Sequence, residues 1–343
     1  MKVLFTEHVE HYTVGLSREL CKYVDLYVLG THKSATVPKQ IILPNVPKIR
    51  GLFRILSLRM LPRFFEVIHA NDSQSGLNTG ASCKLLVTEH GWPEPEIEHA
   101  STRSYYVKER DALLRLHEIG IPIVTISNYS AGMLRRKFGI KVREVVYHGL
   151  LDEFREVEPK ELAEDNVPTI LWSSRFIPMK EPFVLLEALR ILDRKLDFKV
   201  FLRGEGPLRK RIEEFIEENR LTHKIIFKAK VPFQRLPDLY NSSTILVHTS
   251  SSEPFGLCVL EGIGAGLPVV VPEAGGAYEV AGPAAVSFVP HNPEDLAEKI
   301  TFLLSSPESY YKQSRKSLER SRCFTWAKAA KEYLRIYERI ARS

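Results

Sequence analysis

The sequence has few of the features that mark membrane-spanning, secreted or zinc-binding chains. It contains no stretch of about 18 uncharged apolar residues, the length that a transmembrane helix needs. The apolar run at the N-terminus stops at Glu7 and His8, which is too early for the hydrophobic part of a signal peptide, and it predicts a buried first strand instead. The four cysteines are scattered without a CxxC pair, which predicts reduced packing residues in a cytoplasmic protein.

Metal-binding patterns and nucleic-acid-binding motifs are also scarce. No Asp-x-Asp pair occurs, and the one group of metal-ligand side chains, Glu7, His8 and His11, has no second cluster to complete it. No known nucleic-acid-binding motif is present. We therefore expect neither a metal ion nor nucleic acid as a partner. Glutamine is rare whereas lysine, arginine and glutamate are plentiful, a composition typical of thermophilic proteins.

The overall composition is that of a globular protein. The chain has 343 residues, of which 44% are hydrophobic and 26% charged, and this length favours two domains. Its net charge of +6 attracts polyanions, a class that includes sugar diphosphates and anionic lipids.

Short apolar runs alternate with helical segments along both halves of the chain. The runs are continuous rather than alternating, which is typical of parallel strands buried on both faces. We predict strands at residues 3–6, 26–29, 67–70, 85–88, 123–127, 144–147, 169–173, 199–203, 224–228, 245–249, 268–271 and 285–289. Strand–helix–strand repetition of this kind predicts an α/β protein with two doubly wound parallel sheets.

An acidic segment with two prolines, residues 151–168, separates the two halves and is predicted to be a linker. The predicted domains are residues 1–150 and 169–320, followed by a tail at 321–343. The tail contains an amphipathic helix whose apolar face carries Ala330, Tyr333, Leu334, Tyr337 and Ile340. Ligands of open parallel sheets bind beyond the carboxyl ends of the strands, so two such sheets predict an active site in the cleft between the domains.

Two post-strand loops of the second half carry candidate phosphate-binding residues. Arg175 and Lys180 follow the strand at 169–173, and two fixed cations suit a diphosphate, although solvated loop charges are an equally good interpretation. Gly204 and Gly206 follow the strand at 199–203 and permit close backbone approach to a phosphate or sugar. The full GxGxxG pattern is absent, so a plain tight turn explains these glycines as well.

The richest stretch follows the strand at 245–249. Pro254 and Gly256 keep Glu253 in a loop, and a helix should begin near Gly256 with free N–H groups at its positive end. Glu253 can accept hydrogen bonds from sugar hydroxyls, and Glu261 can bind a ribose diol. The alternative is that Glu253 is a helix-terminus acid and Glu261 a paired surface charge. The pair Gly275-Gly276 after the next strand suits either a phosphate or a simple turn.

As a set, these residues resemble the retaining GT-B glycosyltransferases of the large glycosyltransferase group 1 family. The resemblance covers the whole second half in the right order. It rests on Arg175 with Lys180, Gly204-x-Gly206, Ser250-x-x-Glu253-x-Phe255-Gly256, Glu253-x7-Glu261, Gly266-x-Pro268-Val-Val and Gly275-Gly276-x-x-Glu279. It implies the GT-B fold, in which two Rossmann-like domains face each other across a cleft and a C-terminal helix crosses back to the first domain.

The resemblance implies that a hexosyl or N-acetylhexosaminyl group moves from a UDP-, GDP- or ADP-sugar to an acceptor with retained configuration. The acceptor would be the hydroxyl of a sugar, a glycan or a lipid carrier. The nucleotide sugar is then a co-substrate, with no tightly bound cofactor and no metal. Arg175 and Lys180 would hold the diphosphate, Glu253 the donor sugar and Glu261 the ribose. The remaining predicted contacts are His90 beside the donor sugar, Gly15 in a glycine-rich first loop, Gly204, the base-contacting Lys230 and Val231, and the backbone N–H groups of Phe255, Gly256 and Leu257.

The sequence departs from the family pattern at three places. Ala229 stands where a glycine is usual and Gly262 where an alanine is usual, which leaves the nucleobase open. The first loop has Gly15 but lacks the usual Gly-Gly, a difference that concerns the acceptor. His90 lies in the segment Glu89-His90-Gly91-Trp92 that follows the strand at 85–88, a position that favours function over a purely structural role.

A basic segment from Lys48 to Phe65 interleaves arginines with Leu, Phe, Ile and Met. Such a helix can lie on the anionic inner face of a membrane, or it can pack its apolar side on the first sheet. Other functions stay open too. They are a phosphorylase or nucleotide-sugar epimerase of the same fold, and a non-catalytic subunit that binds nucleotide sugars or docks to a membrane.

Overall fold

A computed structural model describes residues 1–6, 10–30, 37, 39–42, 60–80, 84–92, 100–154, 158–163, 166–229, 231–232 and 235–342. The chain forms two compact units. The first consists of Met1–Leu151 together with Phe324–Ser343, and the second consists of Asp152–Cys323.

The first unit contains a seven-stranded sheet with the order β3-β2-β1-β4-β5-β6-β7. Its strands are β1 (Lys2–Thr6), β2 (Asp25–Gly30), β3 (Gln40–Ile42), β4 (Val67–Ala70), β5 (Leu85–Glu89), β6 (Ile123–Thr125) and β7 (Glu144–Val145). Its helices are α1 (Glu10–Leu20), α2 (Ser73–Asn78), α3 (Ala100–Glu118) and α4 (Asn128–Phe138). All pairings between these strands are parallel.

The second unit contains a six-stranded parallel sheet with the order β10-β9-β8-β11-β12-β13. Its strands are β8 (Thr169–Ser173), β9 (Lys199–Arg203), β10 (Ile225–Lys228), β11 (Ile245–Val247), β12 (Val269–Pro272) and β13 (Ala285–Phe288). Its helices are α5 (Pro182–Leu192), α6 (Arg209–Glu218), α7 (Leu236–Asn241), α8 (Leu257–Gly264), α9 (Gly275–Ala281), α10 (Pro293–Leu304) and α11 (Pro307–Ser321). The predicted pair of doubly wound parallel sheets is confirmed.

The central strands of both sheets are buried along their whole length, as the continuous apolar runs predicted. Every residue of β4, β5, β8 and β12 is buried. The prediction missed β3, which has only three residues and is partly exposed. It also made β6, β7 and β11 too long, because these strands end at Thr125, Val145 and Val247 and not at residues 127, 147 and 249.

The last helix of the chain, α12 (Trp326–Arg342), belongs to the first unit. Its buried side includes the predicted Ala330, Tyr333, Tyr337 and Ile340, and also Ile336, which was not predicted, whereas the predicted Leu334 is only partly buried. The described residues of segment 152–168 belong to the second unit and make contacts within it. The ring of Phe154 lies 5.4 Å from that of Tyr240, and the backbone N–H of Lys160 donates to Ser314 Oγ over 2.8 Å.

The cysteines are free thiols wherever the structure describes them, but they are not all packing residues. Cys21 and Cys323 are exposed and only Cys258 is partly buried. The packing prediction is therefore wrong for two of the three described cysteines, which lie just after helices α1 and α11 rather than inside a core.

Candidate functional site

The predicted donor residues of the second unit lie beyond the carboxyl ends of β8, β9 and β11. The loop after β8 passes Arg175 and forms a short 3-10 turn at Pro178–Lys180 before α5 begins. The loop after β11 holds Glu253 and ends where α8 begins. Because parallel strands end at the same edge of a sheet, these loops are neighbours.

The glycines after β9 let its loop pack closely against the loop after β8. A Cβ atom on Gly204 would lie 1.8 Å from the carbonyl oxygen of Ser174, and one on Gly206 would lie 2.5 Å from that of Phe176. The backbone N–H of Phe176 donates to the carbonyl of Glu205 over 2.9 Å. Gly204 therefore fixes the course of the chain around Arg175, and this packing requirement is sufficient to explain its presence.

Lys180 and Glu253 form a buried ion pair at the centre of this site. The ammonium of Lys180 donates to Glu253 Oε2, and both side chains are shielded from solvent, with 9% and 13% exposed. Burial raises the pKa of Glu253, but the attraction of Lys180 and His248 outweighs it, so the pKa lies below its ordinary value. Glu253 is therefore a carboxylate at neutral pH.

His248, the first residue after β11, lies next to the carboxylate of Glu253. Its Nε2 is 3.5 Å from Glu253 Oε2, and its Nδ1 is 3.5 Å from the sulfur of Cys258. Desolvation lowers the pKa of His248 to about 4, so the imidazole is neutral at pH 7. Burial raises the pKa of Cys258 to about 12, so the thiol keeps its proton.

Hydrogen bonds tie the loop after β11 to the loop after β8. The hydroxyl of Thr249 donates to the carbonyl of Lys180 over 2.8 Å, and that of Ser250 donates to the carbonyl of Met179 over 2.6 Å. The backbone N–H of Ser251 donates to Glu181 Oε1 over 2.9 Å. These bonds keep Lys180 beside Glu253.

Helix α8 begins after Gly256, whose backbone is left-handed with φ of 92°. A Cβ atom on Gly256 would lie 2.9 Å from that of Ala277, so both the backbone angle and the packing favour glycine here. The backbone N–H of Gly276 donates to the carbonyl of Glu253 over 2.6 Å. This second glycine thus supports the Glu253 loop, and its N–H already has an acceptor.

Glu261 is buried on α8 rather than paired on the surface. Only 6% of the residue is exposed, and the hydroxyl of Tyr240 donates to its Oε2 over 2.5 Å. The surface-charge interpretation of Glu261 is therefore wrong. Gly262, which follows it, leaves room for Leu246, because a Cβ atom would lie 2.6 Å from Leu246 Cδ2.

The other predicted donor contacts are less enclosed. Arg175 is exposed, and it forms no ion pair with a carboxylate of the described residues. Val231 is partly buried three residues after β10, and Phe255 is buried at the edge of the core. Leu257 is the first residue of α8. Lys230 lies outside the described residues.

In the first unit, His90 lies in a cluster of aromatic rings. Its ring centroid is 4.5 Å from that of Tyr12 on α1 and 5.3 Å from that of His148. The ring of His148 stacks on Trp326 of α12 at 5.7 Å. Helices α1 and α12 thus determine the surroundings of His90 after β5.

Gly15 was predicted to lie in a glycine-rich first loop. That prediction is wrong, because Gly15 lies within α1. A Cβ atom at this position would lie 2.1 Å from the indole Nε1 of Trp326. The glycine is required here so that α12 can pack against α1.

His69 is a core residue. It is fully buried, its Nδ1 is 2.6 Å from the hydroxyl of Tyr337, and its Nε2 is 2.7 Å from that of Thr88. Desolvation lowers its pKa to about 3.

Two buried carboxyl groups meet at Ser73, those of Glu89 at the end of β5 and of Glu109 on α3. The Ser73 hydroxyl donates to Glu89 Oε2 over 2.8 Å, and the backbone N–H of Ser73 donates to Glu109. Burial raises the pKa of Glu89 well above its ordinary value, and the nearby Glu109 and Asp72 raise it further. Asp72 itself caps α2 through the backbone N–H of Ser75 at 2.6 Å.

Comparison with known proteins identifies the family. Residues 153–320 match the family described as glycosyl transferases group 1. A relative from Methanocaldococcus jannaschii, named as an uncharacterized glycosyltransferase, is 30% identical over 321 residues, which are 88% of this chain and 86% of that protein. The chain belongs to the glycosyltransferase group 1 family. The spore coat protein SA of Bacillus subtilis is 28% identical over 249 residues, which are 63% of this chain and 64% of that protein.

Solved structures match this glycosyltransferase over nearly its whole length. The protein HepE of Anabaena, in complex with UDP-glucose, has a TM-score of 0.81 and 18% identity, covering 98% of this chain and 99% of that one. A sucrose-phosphate synthase from Thermosynechococcus elongatus has a TM-score of 0.79 and 18% identity, covering 99% of each chain. These likenesses confirm the predicted GT-B fold with its two Rossmann-like domains.

Three residues in contact with the candidate site were missed from the sequence. His248 was placed inside a strand, and Tyr240 lies 21 residues before its partner Glu261. Arg203 ends β9, and its guanidinium donates to Ser173 Oγ over 2.9 Å. A titratable residue at the end of an otherwise apolar strand is the signal that identifies His248 and Arg203.

None of the helices in the described part of the chain has the length and apolar character that a bilayer crossing requires. Of the predicted membrane-facing segment 48–65, residues 48–59 lie outside the described residues. Its described end forms a 3-10 turn at Leu61–Phe64, in which Phe64 is 67% exposed. The membrane interpretation stays a prediction.

Proposed function

We propose that this glycosyltransferase moves a hexosyl or N-acetylhexosaminyl group from a nucleoside-diphosphate sugar to an acceptor hydroxyl, with retention of configuration. The observation that carries the proposal is the buried Lys180–Glu253 pair beside the N-terminus of α8. A buried cation next to a helix N-terminus is suited to a multiply charged anion. The UDP-glucose complex of the structurally similar HepE also supports a donor of this class.

In this proposal the diphosphate is held by Arg175, Lys180 and the first N–H groups of α8. Charge grows on the diphosphate as the glycosidic bond breaks, and fixed positive groups in a partly dry site stabilise that charge most effectively. The exposed Arg175 is free to fold over the bound phosphates. The buried Lys180 supplies the charge from the opposite side.

The two acidic residues bind the neutral parts of the donor. Glu253 accepts hydrogen bonds from the hydroxyls of the transferred sugar, and Glu261 accepts them from the ribose. Tyr240 holds one oxygen of Glu261, which fixes the direction in which the carboxylate points. Neither acid is assigned the role of a nucleophile in this scheme, since both carboxylates accept hydrogen bonds from hydroxyl groups of the donor.

Retention then follows from attack on the face that the leaving group departs from. The acceptor hydroxyl forms the new bond to the anomeric carbon while its proton passes to the departing phosphate oxygen. The acceptor is a sugar, a glycan or a lipid carrier, and a lipid acceptor would engage segment 48–65 at the inner face of the membrane. No metal ion is required by this scheme.

Thermal unfolding with UDP, GDP, ADP and their sugars, each with magnesium or with EDTA, tests the donor side. A ligand at 100 times its Kd should stabilise the protein by about 2.7 kcal/mol. We expect one diphosphate to bind equally well in EDTA. If none of the diphosphates shifts the unfolding temperature, the donor assignment is wrong.

Transfer assays with the donor that binds test the reaction itself. We expect a product whose anomeric proton coupling matches that of the donor sugar, and an inverted anomer would exclude retention. Dependence on inorganic phosphate would indicate a phosphorylase, and a product formed without acceptor would indicate an epimerase. Donor binding without turnover across soluble and lipid acceptors would indicate a non-catalytic subunit.

A further inference from the structure

The carboxylate of Glu253 lies beside the side chains of Lys180 and His248, but it accepts a hydrogen bond from Lys180 only. Its Oε2 accepts from Lys180, while His248 Nε2 stands 3.5 Å from the same oxygen. That Nε2 is buried and has no hydrogen-bond partner among the described residues. A buried N–H without an acceptor is costly, so its presence so close to a carboxylate calls for an explanation.

Binding of a diphosphate changes what Lys180 must do. When the ammonium turns to the phosphate oxygens, Glu253 loses this hydrogen bond. A carboxylate that stays buried without a partner is strongly unfavourable, so another donor must replace the ammonium. Among the described groups around Glu253, His248 Nε2 is the donor already within 3.5 Å.

We propose that His248 is a positioning residue that takes over Glu253 when Lys180 turns to the diphosphate of the donor. The inference rests on the proposed function, because it assumes that a nucleoside diphosphate binds here. It adds that the Lys180–Glu253 pair is the resting state of the site. After the exchange, His248 Nε2 donates a hydrogen bond to Glu253 Oε2, and Glu253 Oε1 faces the sugar.

Cys258 favours the tautomer of His248 that this exchange requires, with the ring proton on Nε2. A neutral imidazole carries one N–H, and the hydrogen bond at its other nitrogen determines which one. The thiol of Cys258 lies 3.5 Å from Nδ1 and keeps its proton, so it can donate to Nδ1. The proton of the ring is then on Nε2, directed toward Glu253. Since Cys258 lies in the first turn of α8, the same helix that faces the phosphates also orients His248.

Nitrogen NMR of the full chain labelled with 15N-histidine tests the exchange directly. The His248 signals are identified by their absence in His248→Gln. We expect the Nε2–H tautomer in the free protein, and a shift of the Nε2 signal when the diphosphate that binds, UDP, GDP or ADP, is added. The matching monophosphate should leave Nε2 unchanged. In Lys180→Met, Glu253 has no ammonium beside it. The chemical shift of His248 Nε2 should therefore already equal that of the diphosphate-bound wild type before any nucleotide is added.

Binding measurements give a second test that does not depend on the NMR signals. In His248→Leu, affinity for the diphosphate should fall about ten- to hundredfold, the effect of one hydrogen bond to a charged group, while affinity for the monophosphate stays the same. His248→Gln places an amide N–H near the position of Nε2 and should restore most of the loss. His223→Leu is the matched control, because His223 is an exposed histidine of the same unit.

The outcomes separate this inference from the proposed function. If no nucleoside diphosphate binds the wild-type protein, the proposed function fails. If a diphosphate binds but Nε2 does not shift, or if His248→Leu weakens both nucleotides equally, the exchange is wrong and the proposed function stands. A lower unfolding temperature of His248→Leu with an unchanged ratio of the two affinities would assign His248 a purely structural role.

Discussion

The hydroxyl of Tyr240 donates to Oε2 of Glu261 over 2.5 Å inside the second unit. Tyr240 lies at the end of α7 and Glu261 in the middle of α8, so the bond joins two helices on one side of the sheet. Burial raises the pKa of Tyr240 well above its ordinary value, and the Glu261 carboxylate raises it further. The phenol therefore keeps its proton at neutral pH and can donate to Glu261.

Replacing this phenol tests whether Glu261 needs a fixed direction. In Tyr240→Phe the carboxylate loses its buried donor, and we expect the affinity for nucleoside diphosphates to fall about tenfold with a stability loss of about 1–2 kcal/mol. Affinity is measured by calorimetry and stability by urea unfolding. Tyr311→Phe is the control, since Tyr311 is 41% exposed. A stability loss without any change in affinity would show that Tyr240 only supports the core.

Lys180→Ala should reduce both turnover and stability. Loss of a preorganised cation at the leaving group typically costs about 10²–10³-fold in kcat. The stability loss should be about 1–3 kcal/mol, less than for an isolated buried pair, because His248 lies next to the carboxylate left behind. Lys312→Ala, an exposed lysine of the same unit, should change neither quantity. Wild-type turnover in Lys180→Ala would remove Lys180 from the diphosphate site.

Arg175→Ala should separate turnover from stability. The side chain is exposed and makes no described ion pair, so we expect the free energy of unfolding to change by less than about 0.5 kcal/mol. Turnover should nevertheless lose most of its rate, because the guanidinium is expected to act only on bound phosphate. The exposed Arg194→Ala serves as control in the same assays. A fully active Arg175→Ala would contradict the diphosphate role.

Gly15→Ala should destabilise the protein even though alanine favours helices. The added methyl would lie 2.1 Å from the indole of Trp326, and overpacking of this kind typically costs about 1–3 kcal/mol. Gly132→Ala on α4 is the matched helical control, because its nearest neighbour is the flexible end of Arg136 at 3.0 Å. We expect that substitution to be neutral or stabilising by up to about 1 kcal/mol. Urea unfolding compares the two, and equal stabilities would contradict the packing argument.

Glu89→Gln should stabilise the first unit at neutral pH. The pKa of Glu89 is raised by burial, so the wild-type protein loses stability as the pH rises above the ordinary pKa of about 4.5. The amide has no charge to lose and can still accept from the Ser73 hydroxyl. The stability gain over wild type should therefore be small near pH 4.5 and grow toward pH 8, as followed by thermal unfolding. The exposed Glu338→Gln should show no such growth, and a gain that is constant with pH would reject the buried-carboxyl account.

The sequence was sufficient for most strands of the two sheets because buried parallel strands leave a direct pattern. Segments such as Val67–Ala70 and Thr169–Ser173 are apolar throughout, and the structure ends these strands where the pattern ends. Helix α8 also begins where Pro254 and Gly256 predicted. These features depend on local residue types, and local residue types are what a sequence displays.

The remaining parts of the site depend on contacts that the sequence does not display. Nothing near Glu261 indicates that a tyrosine 21 residues earlier donates to it. Gly15 resembled a loop glycine because the indole that requires it comes from Trp326, more than 300 residues later. Glu253 and Lys180 were both selected from the sequence, but their pairing with each other was not, because two loops after different strands bring them together.

The position of α12 in the chain determines when each unit can finish folding during synthesis. The first unit needs Trp326–Arg342 to cover α1 and to supply Tyr337 to His69, and this helix leaves the ribosome after the whole second unit. The second unit, Asp152–Cys323, is continuous in the chain and can complete its fold without waiting for a distant segment. The unit that is synthesised first is thus the last to be finished, and until then the side of α1 that packs against α12 is uncovered.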